Sequence, residues 1–153
     1  MEPNAIIDRI VSSFDGVVVK RSFGETAFFY NPGGVLPNGV YFCTIKENDG
    51  ANDSASALWR KGVYRLAIGL LPTRYAELFG TKPARPAKGQ IVATGDDFTA
   101  LDTLTPHPVY AWMSWAQILN PSLSRFEEIM PLIAEAYLRA VGAFQTKNTL
   151  RPK

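Results

Sequence analysis

The 153-residue sequence has one cysteine, Cys43, and one histidine, His107. A lone cysteine excludes an intrachain disulfide. One Cys with one His cannot furnish a Cys/His zinc site, and no metal or cofactor is expected. No apolar run approaches the ~18 residues that span a bilayer, so no membrane partner is expected. The acidic, polar Met1-Glu2-Pro3-Asn4 does not open a secretory signal, and the expected compartment is the cytoplasm. Charge of one sign is also scarce. Sixteen Lys and Arg against fourteen Asp and Glu leave a net charge of +2, without the clustered excess of most DNA binders. Neither G-x-G-x-x-G nor G-x-x-x-x-G-K-[ST] occurs, which removes the common phosphate-binding loops. No G-x-S-x-G surrounds Ser56 or Ser114.

What is present is an alternation of helical and extended patterns of single-domain length. Residues 4–14 predict a helix capped by Asn4, with Ile6, Ile7, Ile10, Val11 and Phe14 at helical spacing. Strands are predicted over 16–21, 26–30, 40–46 and 63–70. In the third, Tyr41, Cys43 and Ile45 share one face and Val40, Phe42 and Thr44 the other. In the fourth, Arg65, Ala67 and Gly69 lie opposite Tyr64, Leu66, Ile68 and Leu70. A short helix follows from Pro72, ending at Gly80. Residues 81–89 form a basic loop, and 96–104 hold one helical turn. Residues 111–119 predict a fifth strand with a tryptophan on each face, Trp112 and Trp115.

A long C-terminal helix closes the domain. Ser124 and Glu127 have the spacing of a capping box. Phe126, Ile129, Met130, Ile133, Tyr137, Ala140, Val141 and Phe144 form its apolar stripe. Glu135 and Arg139 make an i,i+4 pair. Pro131 predicts a kink or two abutting helices. Residues 1–145 thus form one α+β domain, with 146–153 a frayed tail. Its sheet is mainly antiparallel, of about five strands, with an N-terminal helix and a long C-terminal helix packed on it.

Candidate chemistry centres on His107, the one side chain whose ordinary pKa lies near neutrality. Between Pro106 and Pro108 it is held on a rigid loop. It is the candidate general base, though a loop histidine bonded to backbone is the simpler reading. Asp97 and Asp102 are near it only in sequence. Cys43 lies mid-strand among aromatics and reads as a small hydrophobe. Glu47, Asp49 and Asp53 sit in a polar loop that lacks the spacing of a calcium site. Arg60, Lys61, Lys82, Arg85 and Lys88 offer cations to a nucleic-acid backbone.

Several segments carry a resemblance. They are Arg60-Lys61-Gly62-Val63-Tyr64-Arg65-Leu66-Ala67-Ile68-Gly69-Leu70, Tyr75-Ala76-Glu77-Leu78-Phe79-Gly80, Leu101 to Tyr110 with its Pro106-His107-Pro108-Val109-Tyr110 core, Trp115, Leu119-Asn120-Pro121 and Ala134-Glu135-Ala136-Tyr137. Taken in order, they resemble a bacterial domain-of-unknown-function family numbered 6194, which brings no catalytic residues with it. More distantly, Trp115 and Ala136-Tyr137 are similar to features of YjbR-like proteins. That resemblance implies a fold like a double-wing DNA-binding domain.

The reading these observations favour is a non-enzymatic binding or interaction module. A small-molecule ligand would sit in a groove near Arg65, His107, Tyr110 and Trp112. The alternatives are a nucleic-acid-binding protein and a small hydrolase or isomerase using His107 with a carboxylate. An exposed apolar sheet face would imply a homodimer.

Overall fold

The computed structural model describes residues 1–150. Its order is α1 (Pro3–Ser13), β1 (Val17–Ser22), β2 (Glu25–Tyr30), β3 (Val40–Lys46), β4 (Arg65–Gly69), α2 (Pro72–Phe79), β5 (Leu104–Pro106), β6 (Trp115–Leu119) and α3 (Leu123–Thr149). The fold is α+β, as the sequence implies. One antiparallel sheet has the order β1-β2-β3-β4-β6-β5. The first four strands form a meander. The chain then passes the place of β6 to lay down β5 at the edge, and returns with β6 between β4 and β5.

Helices α1 and α3 cover one face of the sheet. Ile6, Ile7 and Ile10 pack into a single core with Phe126, Ile129, Ile133, Ala136, Ala140 and Phe144, against Phe28, Phe42, Leu66, Ile68 and Ile118 of the strands. The opposite face carries Phe29, Tyr41, Thr44, Arg65, Ala67, Gly69, Trp115 and Gln117, paired across the sheet in register. Loops 47–64 and 90–114 approach this second face. No helix among the described residues is long and apolar enough to cross a membrane.

Six strands stand where about five were expected. The extra strand is β5, which starts at Leu104, where the expected helical turn over 96–104 ends; within that span Ala100 N bonds to Asp97 O at 3.4 Å, closing a single turn. Strand β5 is short and at the edge because Pro106 has no N–H to give a further neighbour. The expected strand over 111–119 begins only at Trp115. Residues Ala111–Met113 form a 3₁₀ turn, closed by Ser114 in the left-handed region (φ 69). Trp112 therefore lies outside the strand.

In β3 a bulge breaks the expected alternation. Phe28 pairs with Cys43 and Phe29 with Tyr41, so Phe42 is the extra residue. Phe42 joins Cys43 in the core, and Tyr41 turns to the other face.

The helix starts also differ from their predicted caps. Helix α1 begins at Pro3, after Glu2 rather than Asn4, since a first-turn proline loses no hydrogen bond. Ser122, not Ser124, caps α3 by accepting from Arg125 N at 3.2 Å. Glu127 completes no capping box because its carboxylate pairs with Arg9.

Pro131 does not divide α3, which runs unbroken to Thr149. Part of the expected 146–153 tail is therefore helical, and residues 151–153 lie outside the described residues. The predicted Glu135–Arg139 pair does not form. Glu135 instead takes a two-pronged bond from Arg74, at 2.9 and 3.0 Å.

Candidate functional site

Strand β4 is central and buried along its whole length. On the face away from the long helix it carries Arg65, Ala67 and Gly69. Arg65 and Ala67 form the floor of a cavity of about 840 Å³, walled by the loop around Asp53 on one side and by His107 and Tyr110 on the other. Tyr41, Thr44 and Lys46 of β3 and Trp115 of β6 complete it. The volume is in the range that holds small organic ligands.

Arg65 is 3% exposed and reaches Asp53 with two parallel bonds, Nη1 donating to Oδ1 at 2.9 Å and Nη2 to Oδ2. Burial pushes the Asp53 carboxyl up, but the bonds and charge of Arg65 prevail and hold it below the usual carboxylate range. Asp53 thus pins its loop to the sheet. A charge as buried as that of Arg65 would otherwise be costly. The Arg65 Nε–H is buried without a partner. Lys46 pairs with Glu25 at 3.2 Å on the same face.

His107 is 2% exposed. Its Nδ1 accepts from the backbone N–H groups of Val109 and Tyr110, at 3.0 and 3.1 Å. An imidazole nitrogen that accepts carries no proton, so the hydrogen is on Nε2. Burial, reinforced by the charge of Arg65, lowers its pKa well below the ordinary value, with Asp53 opposing. His107 is therefore a neutral ring that lines the cavity and has one N–H to donate. No carboxylate bonds to it among the described residues. Asp102 accepts from Ser122 N at 2.8 Å, and Asp97 accepts from Thr99 N at 3.0 Å. With its lone pair committed to backbone, the ring is arranged as a donor rather than as a general base.

The sequence around His107 explains this placement. Its own N–H bonds to Trp115 O, Ala111 N bonds back to His107 O, and Val92 N bonds to Pro108 O. Asn120, with φ 44, holds the far end of β6. Its Oδ1 accepts from Tyr64 N at 2.9 Å and its Nδ2 donates to Gly62 O at 2.8 Å. The Pro-His-Pro-Val-Tyr and Leu-Asn-Pro segments therefore fix the two ends of β6.

A family described as "Family of unknown function (DUF6194)" matches residues 1–149. The chain belongs to this family. No curated protein and no solved structure matches it. The segments that carry the DUF6194 resemblance in the sequence include those that frame the cavity.

The fold brings Arg65, His107 and Tyr110 to one cavity. Trp112 is elsewhere. Its Nε1 donates to Val109 O at 3.0 Å, and the Arg85 guanidinium lies 4.7 Å from its ring centre. Arg60 spends its guanidinium on the carbonyls of Ser56, Ala57 and Thr99, Arg85 covers Trp112, and Lys61, Lys82 and Lys88 are exposed.

The remaining candidate nucleophiles have structural surroundings. Cys43 is buried, and burial pushes its thiol far up. Ser56 donates to Gln117 Oε1 at 2.8 Å. Ser114 is buried in the 3₁₀ turn, its hydroxyl unpartnered. Of the polar-loop carboxylates, Asp49 accepts from Leu58 N at 2.9 Å.

Sequence reasoning missed two contributors. Asp53 looked like part of a solvated loop. Tyr41 was placed on one face with Cys43 and Ile45, both of which are core. Only the empty partner position of Arg65, a charged residue inside the most apolar strand, signalled that some carboxylate had to come to it.

Proposed function

We propose that the protein is a non-enzymatic binding module that takes a small organic molecule in the cavity floored by Arg65 and Ala67. The observation that carries this reading is the state of His107. Its basic nitrogen is committed to two backbone N–H groups, and its Nε2–H is left as a donor at a cavity with aromatic and polar walls. Binding sites of this kind combine apolar contact area with a few fixed polar groups. The Arg65–Asp53 and Lys46–Glu25 pairs supply such groups on one side, and Tyr41, Tyr110 and Trp115 supply rings on the other. The cytoplasm is the compartment this reading assumes.

The test is a thermal-shift screen of small organic molecules against the wild-type chain and Thr44→Phe, which fills the cavity from β3. A ligand that binds only the folded state raises the midpoint by mass action. Hits that stabilise the wild type and lose their effect in Thr44→Phe support the reading. Hits indifferent to Thr44→Phe place binding elsewhere, and chemical turnover of any hit overturns the non-enzymatic claim.

A further inference from the structure

A second cavity, of about 440 Å³, shares no lining residue with the one floored by Arg65 and Ala67. It lies between the C-terminal half of α2, the loop that follows and the segment 93–96, and it reaches Pro106 at the end of β5. Tyr75 and Phe79 stand one turn apart on α2 and meet edge to face, with ring centres 5.1 Å apart. Helix α2 ends at Gly80, and Thr81 and Pro83 of the following loop complete that wall.

Three oxygen groups of the lining have no partner among the described residues. Tyr75 is fully buried, yet its hydroxyl makes no hydrogen bond. The Thr94 hydroxyl is also buried and unbonded. Asp96 is exposed and its carboxylate forms no hydrogen bond or ion pair. Its neighbour Asp97, by contrast, accepts from the N–H and hydroxyl of Thr99, at 3.0 and 2.6 Å. Burial raises the Tyr75 pKa, and the charge of Asp96 raises it further. That charge is felt at the phenol oxygen, so the hydroxyl end of Tyr75 is on the Asp96 side of the cavity. Asp96 stands at the open side and the two hydroxyls lie deeper.

Buried polar groups are as a rule hydrogen-bonded, and one left unpaired is costly. Two of them at one cavity, beside an unpaired carboxylate, call for donors and a positive charge. No Lys, Arg or His among the described residues lines the cavity to supply them. A divalent metal ion suits the set poorly, since it takes about six or more oxygen ligands and here has one carboxylate and two neutral hydroxyls. An ammonium group matches it, with three N–H donors, one charge and no acceptor. The volume is in the range that holds small organic ligands.

We propose that this second cavity binds a small primary amine in its ammonium form. Asp96 is the counter-ion, the Tyr75 and Thr94 hydroxyls are acceptors, and the carbon body lies against Leu78, Phe79 and Pro83.

The experiment titrates the isotope-labelled wild-type chain at low salt and neutral pH with n-butylamine, n-butanol and tetramethylammonium, following backbone amide shifts by NMR. Butylamine should shift the amides of Thr81, Ala93, Thr94 and Asp96 saturably and leave those of Ala67 and His107 in place. Butanol keeps the body without the charge, and tetramethylammonium keeps the charge without an N–H. Each should bind at least about fivefold more weakly than butylamine. Asp96→Asn, at an exposed and unbonded position, should fold as the wild type does and bind butylamine about three- to tenfold more weakly, with butanol unaffected. Tyr75→Phe keeps the ring, should weaken butylamine by a smaller factor, and should be at least as resistant to urea as the wild type, because the hydroxyl it removes has no partner in the fold.

An equal response to the three compounds, or no saturable shift at the four amides with butylamine, overturns the proposal. So does a butylamine affinity that survives Asp96→Asn. Shifts confined to Ala67 and His107 would assign the amine to the first cavity and overturn it too. A large loss of stability in Tyr75→Phe would mean that the hydroxyl is bonded within the folded chain, with the same consequence.

Discussion

Asp53 comes out of the loop after β3 to close a two-pronged bond on Arg65, a residue 3% exposed in one of the two central strands of the sheet. The two are twelve positions apart, and the bond fixes the loop wall of the cavity. Removing one partner of a buried pair leaves the other desolvated, which costs about 3–5 kcal/mol. Asp53→Asn should lose stability near the lower end of that span, since Asn keeps the shape and one acceptor. The double variant Asp53→Leu, Arg65→Met should recover most of it, because well-packed apolar replacements dispense with the desolvation. Urea titrations of the three chains check this. A double variant less stable than Asp53→Asn would contradict it.

His107 should make stability depend on pH. Its folded pKa is held well below the ordinary value of 6.5, first by burial and then by the charge of Arg65. Below about 6.5 the unfolded chain takes up a proton that the folded chain refuses. Stability from this group is therefore complete above that pH and is lost as pH falls beneath it. The slope approaches about 1.4 kcal/mol per pH unit. His107→Asn places an amide oxygen near the position of Nδ1 and does not titrate. Its urea midpoint should be lower than that of the wild type at pH 7 and should change less between about pH 7 and pH 5.5. Parallel curves for the two chains would show that another group carries the dependence.

The parts of the fold legible in the sequence are those set by local periodicity. The stripe from Phe126 to Phe144 and the alternation around Leu66 and Ile68 report directly which face meets the core, and both were readable. Phe42 was not. A bulge depends on the partner strand, here on the register of Phe28 and Phe29, and no pattern within β3 announces it. Trp112 was misplaced for a related reason. A left-handed residue at Ser114 ends the turn, and serine is not the residue that signals such a conformation. In the site, His107 was legible as a rigid, singular residue. The pairing of Arg65 with Asp53 was not, because it is decided by elements that meet only in three dimensions.

Gly69 should be intolerant of even one added carbon. An alanine Cβ there would stand 2.9 Å from the Trp115 ring and 2.7 Å from the Arg139 guanidinium. The arginine end can swing aside, but the buried indole cannot without leaving Tyr41. Overpacking of this kind costs about 1–3 kcal/mol. Gly69→Ala should lower the urea midpoint by a corresponding amount and alter the near-ultraviolet circular dichroism that the Tyr41–Trp115 stack contributes. A variant as stable as wild type with an unchanged spectrum would mean that the strand can shift to absorb the methyl group.

Pro131 offers the opposite case, a residue whose removal should help. It sits on an exposed turn inside α3, where proline has no N–H to give the carbonyl of Glu127 and its ring crowds that oxygen. A mid-helix proline is disfavoured by about 3 kcal/mol relative to alanine. The helix nevertheless runs unbroken, because the stripe on either side of Pro131, Phe126 and Ile129 before it and Ile133 and Ala136 after it, is buried in one core. Packing outweighs the local penalty. Pro131→Ala should therefore raise the stability by about 1–3 kcal/mol, less than the full propensity difference because the unfolded chain also gains freedom when proline is removed. Urea denaturation measures the gain, and hydrogen exchange should show slower exchange in the turn around residue 131. A neutral or destabilising effect would mean that the bend imposed by Pro131 is what fits the two halves of α3 to the twist of the sheet.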